Sequence, residues 1–368
     1  MAVAVREKIG ILRDKKNVDS LVQQLHAQAN IPIRIMESCG MQTMSISRHG
    51  LRPLLPETLQ LISGPSCPVC VTSGAHIDAF VSLSYDSGVR VMTFGDLYRV
   101  PGTYGSLAQA ASLGAKVEIV YSPMDALERA KENPDELIVF LGVGFATTIP
   151  AVAVTIQAAK KQQIENFTVF SAHKRMIPAL SHLFENDSLQ IDGVLCPGHV
   201  SVILGAGAYQ GLVDKFHVSC AVSGYEPVDI LHSLIRIVRQ HAVGIASVEN
   251  CYKRVVSWEG NTEAQGVINE VFVPTDTTWR GLGLVPESGL AIKPEYAKYD
   301  AVERLGIVLP EVADHSICLC GEILKGKNVP PDCLLFGRAC TPAAPVGPCM
   351  VSSEGSCAAY FRYGGQER

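Results

Sequence analysis

The chain has 368 residues, of which 47% are hydrophobic and 18% charged, and a formal net charge of −5. That length predicts two or three domains with an ample core, and the composition excludes a disordered chain. With an acidic balance and no long basic run, nucleic-acid binding has no electrostatic support. No apolar run reaches the roughly 18 residues of a membrane helix. The charged start, Met1 to Lys16, lacks an apolar signal core, so the expectation is a cytoplasmic protein.

Twelve cysteines are present. In a reducing compartment they read as ligands or redox thiols rather than structural staples. Six lie between Cys318 and Cys357, and three more are Cys39, Cys67 and Cys70. Cys196, Cys220 and Cys251 are scattered in apolar company and read as core thiols.

In chain order, Val18, Leu21, Val22 and Leu25 recur at helical spacing, predicting a helix over residues 18–29 that Pro32 stops. A short apolar run, 31–36, leads to Cys39-Gly40, and residues 45–51 read as helical or irregular. Residues 59–62 read as a strand and 72–75 as a helix start. Cys67-Pro68-Val69-Cys70 therefore stands where a strand hands over to a helix. There a C-x-x-C pair is a redox or metal position, because unsatisfied helix N–H groups favour thiolate. A pair of buried free thiols, or half of a zinc site, are the other readings.

From residue 59 to about 240, predicted strands (59–63, 89–94, 117–121, 137–141, 168–171, 194–195, 216–222) alternate with amphipathic helices. This pattern predicts parallel sheets with helices on both faces. Seven strands could form one sheet or two, and the break at Gly142-Val143-Gly144-Phe145 favours an α/β fold of two small parallel-sheet lobes. The expected division is 1–58 (helix and Cys39 loop, packed with the C-terminal region), 59–142 (first lobe), 143–240 (second lobe) and 241–368 (an irregular, cysteine-rich region). Residues 248–250 and 279–283 read as polar or glycine-rich stops. Ligands of such folds bind beyond the carboxyl ends of the strands, where Cys67, Cys70, Asp96, Thr147, Thr148, His173 and His199 fall. Thr147-Thr148-Ile149-Pro150 reads as a helix start with a threonine cap. It lacks the Walker lysine that would support nucleotide binding. His199, in Cys196-Pro197-Gly198-His199, is either a ligand or acid/base group, or a structural side chain.

The tail is rich in proline and glycine and cannot bury a large core alone, so a metal centre is its natural staple. Its cysteines, Cys318, Cys320, Cys333, Cys340, Cys349 and Cys357, are separated by one, twelve, six, eight and seven residues. Zinc sites use tight paired knuckles; these wide loop-borne thiols suit an iron–sulfur cluster better.

The chain resembles the HypD family of hydrogenase maturation factors over nearly its whole length. The resemblance rests on Gly64-Pro65-Ser66-Cys67-Pro68-Val69-Cys70, Thr93-Phe94-Gly95-Asp96, the run from Tyr121 to Leu127, the run from Gly142 to Pro150, Pro197-Gly198-His199-Val200-Ser201, Trp279-Arg280-Gly281-Leu282-Gly283 and Met350-Val351-Ser352-Ser353-Glu354-Gly355. It implies an assembly scaffold rather than an enzyme with conventional turnover. With a HypC-type chaperone and a HypE-type cyanide donor, the scaffold builds the Fe(CN)2CO centre of nickel–iron hydrogenase. It also implies two small parallel-sheet α/β lobes facing a cleft, a third region carrying a 4Fe-4S cluster, and a monomer before complex formation. Carried onto this sequence, Cys39 is the iron-binding thiolate and His199 lines the same cleft as a ligand or orienting group. Cys67 and Cys70 form a redox-switchable pair. The spacing C-x12-C-x6-C-x16-C falls on Cys320, Cys333, Cys340 and Cys357, with Cys318 a competing first ligand. Basic neighbours Arg48 and His49 would lower a thiol pKa if the fold brings them close. The sequence departs from the family pattern at Gln42 (usually histidine), Ala146 (usually glutamate) and Ser66 (usually glycine). Two further readings remain: a cluster-linked protein disulfide reductase, and a nucleotide-binding regulator with a structural metal tail.

Overall fold

Alternating apolar runs and capped helices fold into two parallel sheets and one antiparallel hairpin. The computed structural model describes residues 10–185, 189–312 and 317–364; the charged start discussed above lies mostly outside them. In chain order the strands are β1 (Ile33–Glu37), β2 (Leu59–Ser63), β3 (Val89–Thr93), β4 (Val117–Ile119), β5 (Leu137–Gly142), β6 (Phe167–Ser171), β7 (Gly193–Pro197), β8 (Ser219–Ser223), β9 (Val248–Asn250), β10 (Phe272–Trp279) and β11 (Gly283–Ile292). The first sheet has the order β2-β1-β7-β8-β9 and the second β4-β3-β5-β6, while β10 and β11 pair alone. All pairings within the two larger sheets are parallel.

The chain leaves the first sheet after β2, builds the whole second sheet, and returns at β7. Residues 59–142 and 143–240 therefore each supply strands to both sheets, which differs from the contiguous lobes expected from the break at Gly142. Parallel neighbours need only a crossover long enough to return, so strand adjacency does not follow sequence adjacency. Residues 248–250, read as a stop, are the edge strand β9.

Side-chain alternation explains how the layers stack. Ile33 and Ile35 of β1, Leu59 and Leu61 of β2, and Leu195 of β7 face helices Lys15–Gln28 and Pro227–Val243. Ile138 and Phe140 of β5 and Met92 of β3 face helices Pro123–Glu132 and Ile149–Gln162. The opposite faces, with Met36, Ile62, Val91, Val139, Leu141, Val194 and Val222, join one continuous core shared by both sheets. Each fully buried Ile, Leu or Phe in these layers contributes about 1.5–3 kcal/mol relative to exposure.

Two topological facts place the site. β1 has β2 on one side and β7 on the other, and β3 lies between β4 and β5. A crevice opens at each such reversal, beyond the carboxyl ends of the strands. The hairpin turn between β10 and β11 ties the remaining parts together. Arg280 donates its backbone N–H to Val71 O (2.8 Å) and its Nε–H to Thr72 O (3.1 Å). Gly281, at φ +79°, lies so close to Gly321 that a Cβ would come 2.6 Å from the Gly321 Cα. The turn thus joins the short helix Pro68–Val71 to helix Cys320–Leu324. Among the described residues no helix is long and apolar enough to cross a membrane.

Candidate functional site

Cys39 follows β1 and caps helix Gly40–Arg48, while His199 opens helix Gly198–Leu204 after β7. Because β1 and β7 are adjacent, Cys39 Sγ lies 3.7 Å from His199 Nδ1. Tyr225, just past β8, completes the group. Its hydroxyl accepts the His199 backbone N–H at 2.8 Å, bonds His199 Nδ1, and lies 4.0 Å from Cys39 Sγ. Burial pushes the Cys39 thiol up to about 12, with the nearby Glu354 charge adding to the rise. Burial lowers His199 to about 4 and raises Tyr225. At neutral pH the trio is therefore an uncharged thiol, imidazole and phenol, a donor set that suits a soft or borderline transition metal once the thiol loses its proton.

The C-terminal segment closes over this group. Helix Ser356–Tyr363 packs on helix Gly40–Arg48, and Gly40 has no room for a side chain because a Cβ there would lie 2.8 Å from Glu354 Cβ. Glu354 is mostly buried, and its carboxyl is raised to about 6, first by burial and then by the Asp96 charge. Asp96, beyond β3, accepts a hydrogen bond from Ser352 Oγ at 3.2 Å. Residues beyond β1 and β3 thus meet the same segment.

Cys67 and Cys70 are joined as a disulfide, with Cα atoms 5.2 Å apart. Cys67 caps helix Pro68–Val71, and its Sγ accepts the Cys70 N–H at 3.2 Å. Cys70 Sγ lies 3.9 Å from Pro348 O. The next residue, Cys349, lines a small cavity together with Cys318, Cys320, Cys333, Cys340 and Cys357. All of these except the half-buried Cys318 are buried. The Val346 N–H donates to Cys340 Sγ at 3.3 Å. Hydrogen bonding to Cys320 and Cys357 raises the Cys349 thiol. Among the described residues no three His, Cys, Asp or Glu side chains converge on one point as a single metal ion requires. A polynuclear iron–sulfur cluster takes four cysteine thiolates, and the thiols lining this cavity are of the type and number that would fit such a group.

Several expectations need correction. Arg48 ends the helix that Cys39 begins, and His49 interacts with Arg13 and Glu226, so neither lowers the Cys39 pKa; burial raises it. Helix Ile149–Gln162 starts as expected, with Thr148 at the N-cap position and proline in the first turn, but the Thr148 side chain makes no capping bond. Thr148 adopts αR dihedrals, and its hydroxyl turns back to donate to Phe145 O at 3.2 Å. Gln42, fully buried, donates Nε2–H to Cys196 O at 2.9 Å and so ties the Cys39 helix to β7. Ala146 lines a cavity between the two sheets, beside Lys174. His173 is buried, with its ring edge-on to Phe272. Sequence reasoning assigned no role to Tyr225 or Glu354. Tyr225 could have been found from its place after an apolar strand, and Glu354 lay within a quoted motif.

A buried thiol–imidazole–phenol group, a disulfide and a cysteine-lined cavity on two parallel sheets define a thiol-rich α/β protein. Residues 16–364 match the HypD family, described as "Hydrogenase formation hypA family". The chain is 44% identical to hydrogenase maturation factor HypD of Escherichia coli (strain K12), over 96% of this chain and 97% of that protein. It is 42% identical to hydrogenase maturation factor HypD2 of Bradyrhizobium diazoefficiens, over 96% and 95% respectively. It is 40% identical to HypD of Cupriavidus necator, over 96% of both chains. The chain belongs to the HypD family of hydrogenase maturation factors.

Proposed function

We propose that this protein is a cytoplasmic scaffold on which the Fe(CN)2CO centre of nickel–iron hydrogenase is assembled, in complex with a HypC-type chaperone and supplied by a HypE-type cyanide donor. The observation that carries this reading is the Cys39–His199 pair at a strand-order reversal, with Sγ and Nδ1 3.7 Å apart. In this reading the iron cargo takes Cys39 as thiolate and displaces its proton. Glu354, with a carboxyl raised to about 6, is the base poised to accept a proton near neutral pH. Tyr225 holds the imidazole in one orientation through its hydroxyl. The closed cleft keeps water from a reduced metal.

Cys320, Cys333, Cys340 and Cys357 would hold a 4Fe-4S cluster, with Cys318 and Cys349 as further thiols on the same cavity. Such a cluster supplies one-electron redox chemistry. The Cys67–Cys70 pair stores two electrons: reduction breaks the S–S bond and adds two protons, and reoxidation returns both. Its contact with Pro348 places it beside the cysteine cavity. That contact also favours the second reading, a cluster-linked disulfide reductase.

Infrared spectroscopy with iron and sulfide analysis, on protein purified without oxygen alongside its chaperone, separates the two. The scaffold reading expects cyanide and carbon monoxide stretching bands that vanish in Cys39→Ala while cluster iron and sulfide persist. A full cluster without those bands in the unmodified chain would favour the reductase.

A further inference from the structure

A further cavity shares no lining residue with either thiol site. A cavity of about 370 Å³ opens between the two sheets, within the size range of small-ligand sites. Phe145, Ile149, Val200, Leu204, Ile268 and Phe272 make most of its wall apolar, and no Asp or Glu lines it. Four polar residues line it, Lys174, Arg175, Gln265 and Asn269, and of these Lys174 is fully buried. Nζ donates to Thr277 Oγ1 at 2.7 Å and Thr278 O at 3.2 Å. These use two of the three N–H bonds of an ammonium; among the described residues the third has no protein acceptor, and no carboxylate pairs with the charge. A buried ammonium without a counter-charge is strongly disfavoured, so it either loses its proton or takes an anion from solution. Burial accordingly lowers Lys174 to about 7, with no acidic group opposing. Arg175 lines the same cavity; its Nη1 donates to the Glu287 carbonyl at 2.7 Å, and among the described residues no carboxylate pairs with it.

We propose that this cavity is a binding site for a small monoanion with an apolar body, a short-chain carboxylate, whose carboxylate takes the free N–H of Lys174 while its hydrocarbon part fills the space between Phe145, Val200, Ile268 and Phe272. The largely apolar wall takes a hydrocarbon body, and the unpaired buried ammonium of Lys174 takes one negative charge. The site is separate from Cys39 and the cysteine cavity and does not rest on the scaffold reading.

The test is calorimetric titration of the full chain, purified without oxygen, with hexanoate and with hexanamide, its neutral isostere. The expected result is saturable one-site binding of hexanoate, at least tenfold tighter than hexanamide. Lys174→Met should weaken hexanoate at least tenfold and leave hexanamide unchanged. Ile268→Trp, which fills the cavity and keeps the lysine, should block both. Equal affinity for the two probes, no saturable binding, or undiminished hexanoate binding in either variant overturns the proposal. If Lys174→Met fails to fold, the probe comparison and Ile268→Trp decide the matter.

Discussion

Cys39 and His199 are 160 positions apart in the chain, yet their Sγ and Nδ1 atoms are separated by 3.7 Å. The register of β1 on β7 makes this so. Glu37 pairs with Leu195, and the two functional residues follow by two and four positions beyond that rung. The contact is fixed by strand pairing rather than by a flexible loop, and substitutions that loosen the ends of β1 act on the site.

Arg52 is the first such substitution. Its Nη2 pairs with Glu37 Oε1 at 2.7 Å, and the Glu37 side chain is wholly buried. Its Nη1 also donates to Leu61 O at 3.3 Å. Arg52→Met leaves a buried carboxylate without its partner and should destabilise the protein by about 3 kcal/mol or more. Urea unfolding measures this. The double variant with Glu37→Gln should recover part of the loss, because the two residues act as one unit.

Gly40→Ala tests the closure of the C-terminal segment. The added Cβ would stand 2.8 Å from Glu354 Cβ and closer still to its backbone carbonyl, so the segment must move. A loss of about 1–3 kcal/mol in urea unfolding is expected, together with weaker iron retention at Cys39. Stability equal to that of the unmodified chain would show that Glu354 is not held against Gly40.

Glu354 gives a pH signature. Its folded pKa is raised to about 6 from 4.5, so between these values the folded state binds more protons than the unfolded state. Its contribution is fully favourable below pH 4.5 and is lost as pH rises through 6. The stability advantage of Glu354→Gln over the unmodified chain should grow from pH 4.5 to about 6 and then level, as read from urea midpoints along a pH series.

Lys174 gives the opposite trend at higher pH. Its folded pKa is lowered from 10.5 to about 7, so between these values the unfolded chain binds a proton that the folded one does not. Stability contributed by this group should rise from pH 7 towards 10.5, in the absence of added anions. Lys174→Met should flatten that slope, and an identical slope in the two proteins would show that the amine is solvated.

If the Cys67–Cys70 pair is redox-active as proposed, Cys67 is the expected attacking sulfur, because its Sγ accepts the Cys70 N–H at the start of a helix, a setting that favours thiolate. Cys70→Ser, reacted with 5,5′-dithiobis(2-nitrobenzoate), should therefore form a mixed disulfide at Cys67 with release of one 5-thio-2-nitrobenzoate, and Cys67→Ser should not form one at Cys70, as read by mass spectrometry. Equal trapping by the two variants would remove this assignment.

The amino-acid sequence by itself determined the strands and helices of the α/β region, since continuous apolar runs between amphipathic helices leave few alternatives. It also marked Cys39, Cys67–Cys70, His199 and the six-cysteine tail as the chemistry-bearing residues. Only the tertiary structure decided that β2 and β7 flank β1, because parallel pairing is set by long crossovers that no local pattern records. That adjacency brings Cys39 to His199 and Tyr225, and burial at the junction then raises the thiol pKa that sequence neighbours Arg48 and His49 would have lowered. The role of Lys174 was equally invisible in the chain. A lysine beside a histidine reads as surface charge, and only the packing of two sheets around it turns that charge into an unpaired one.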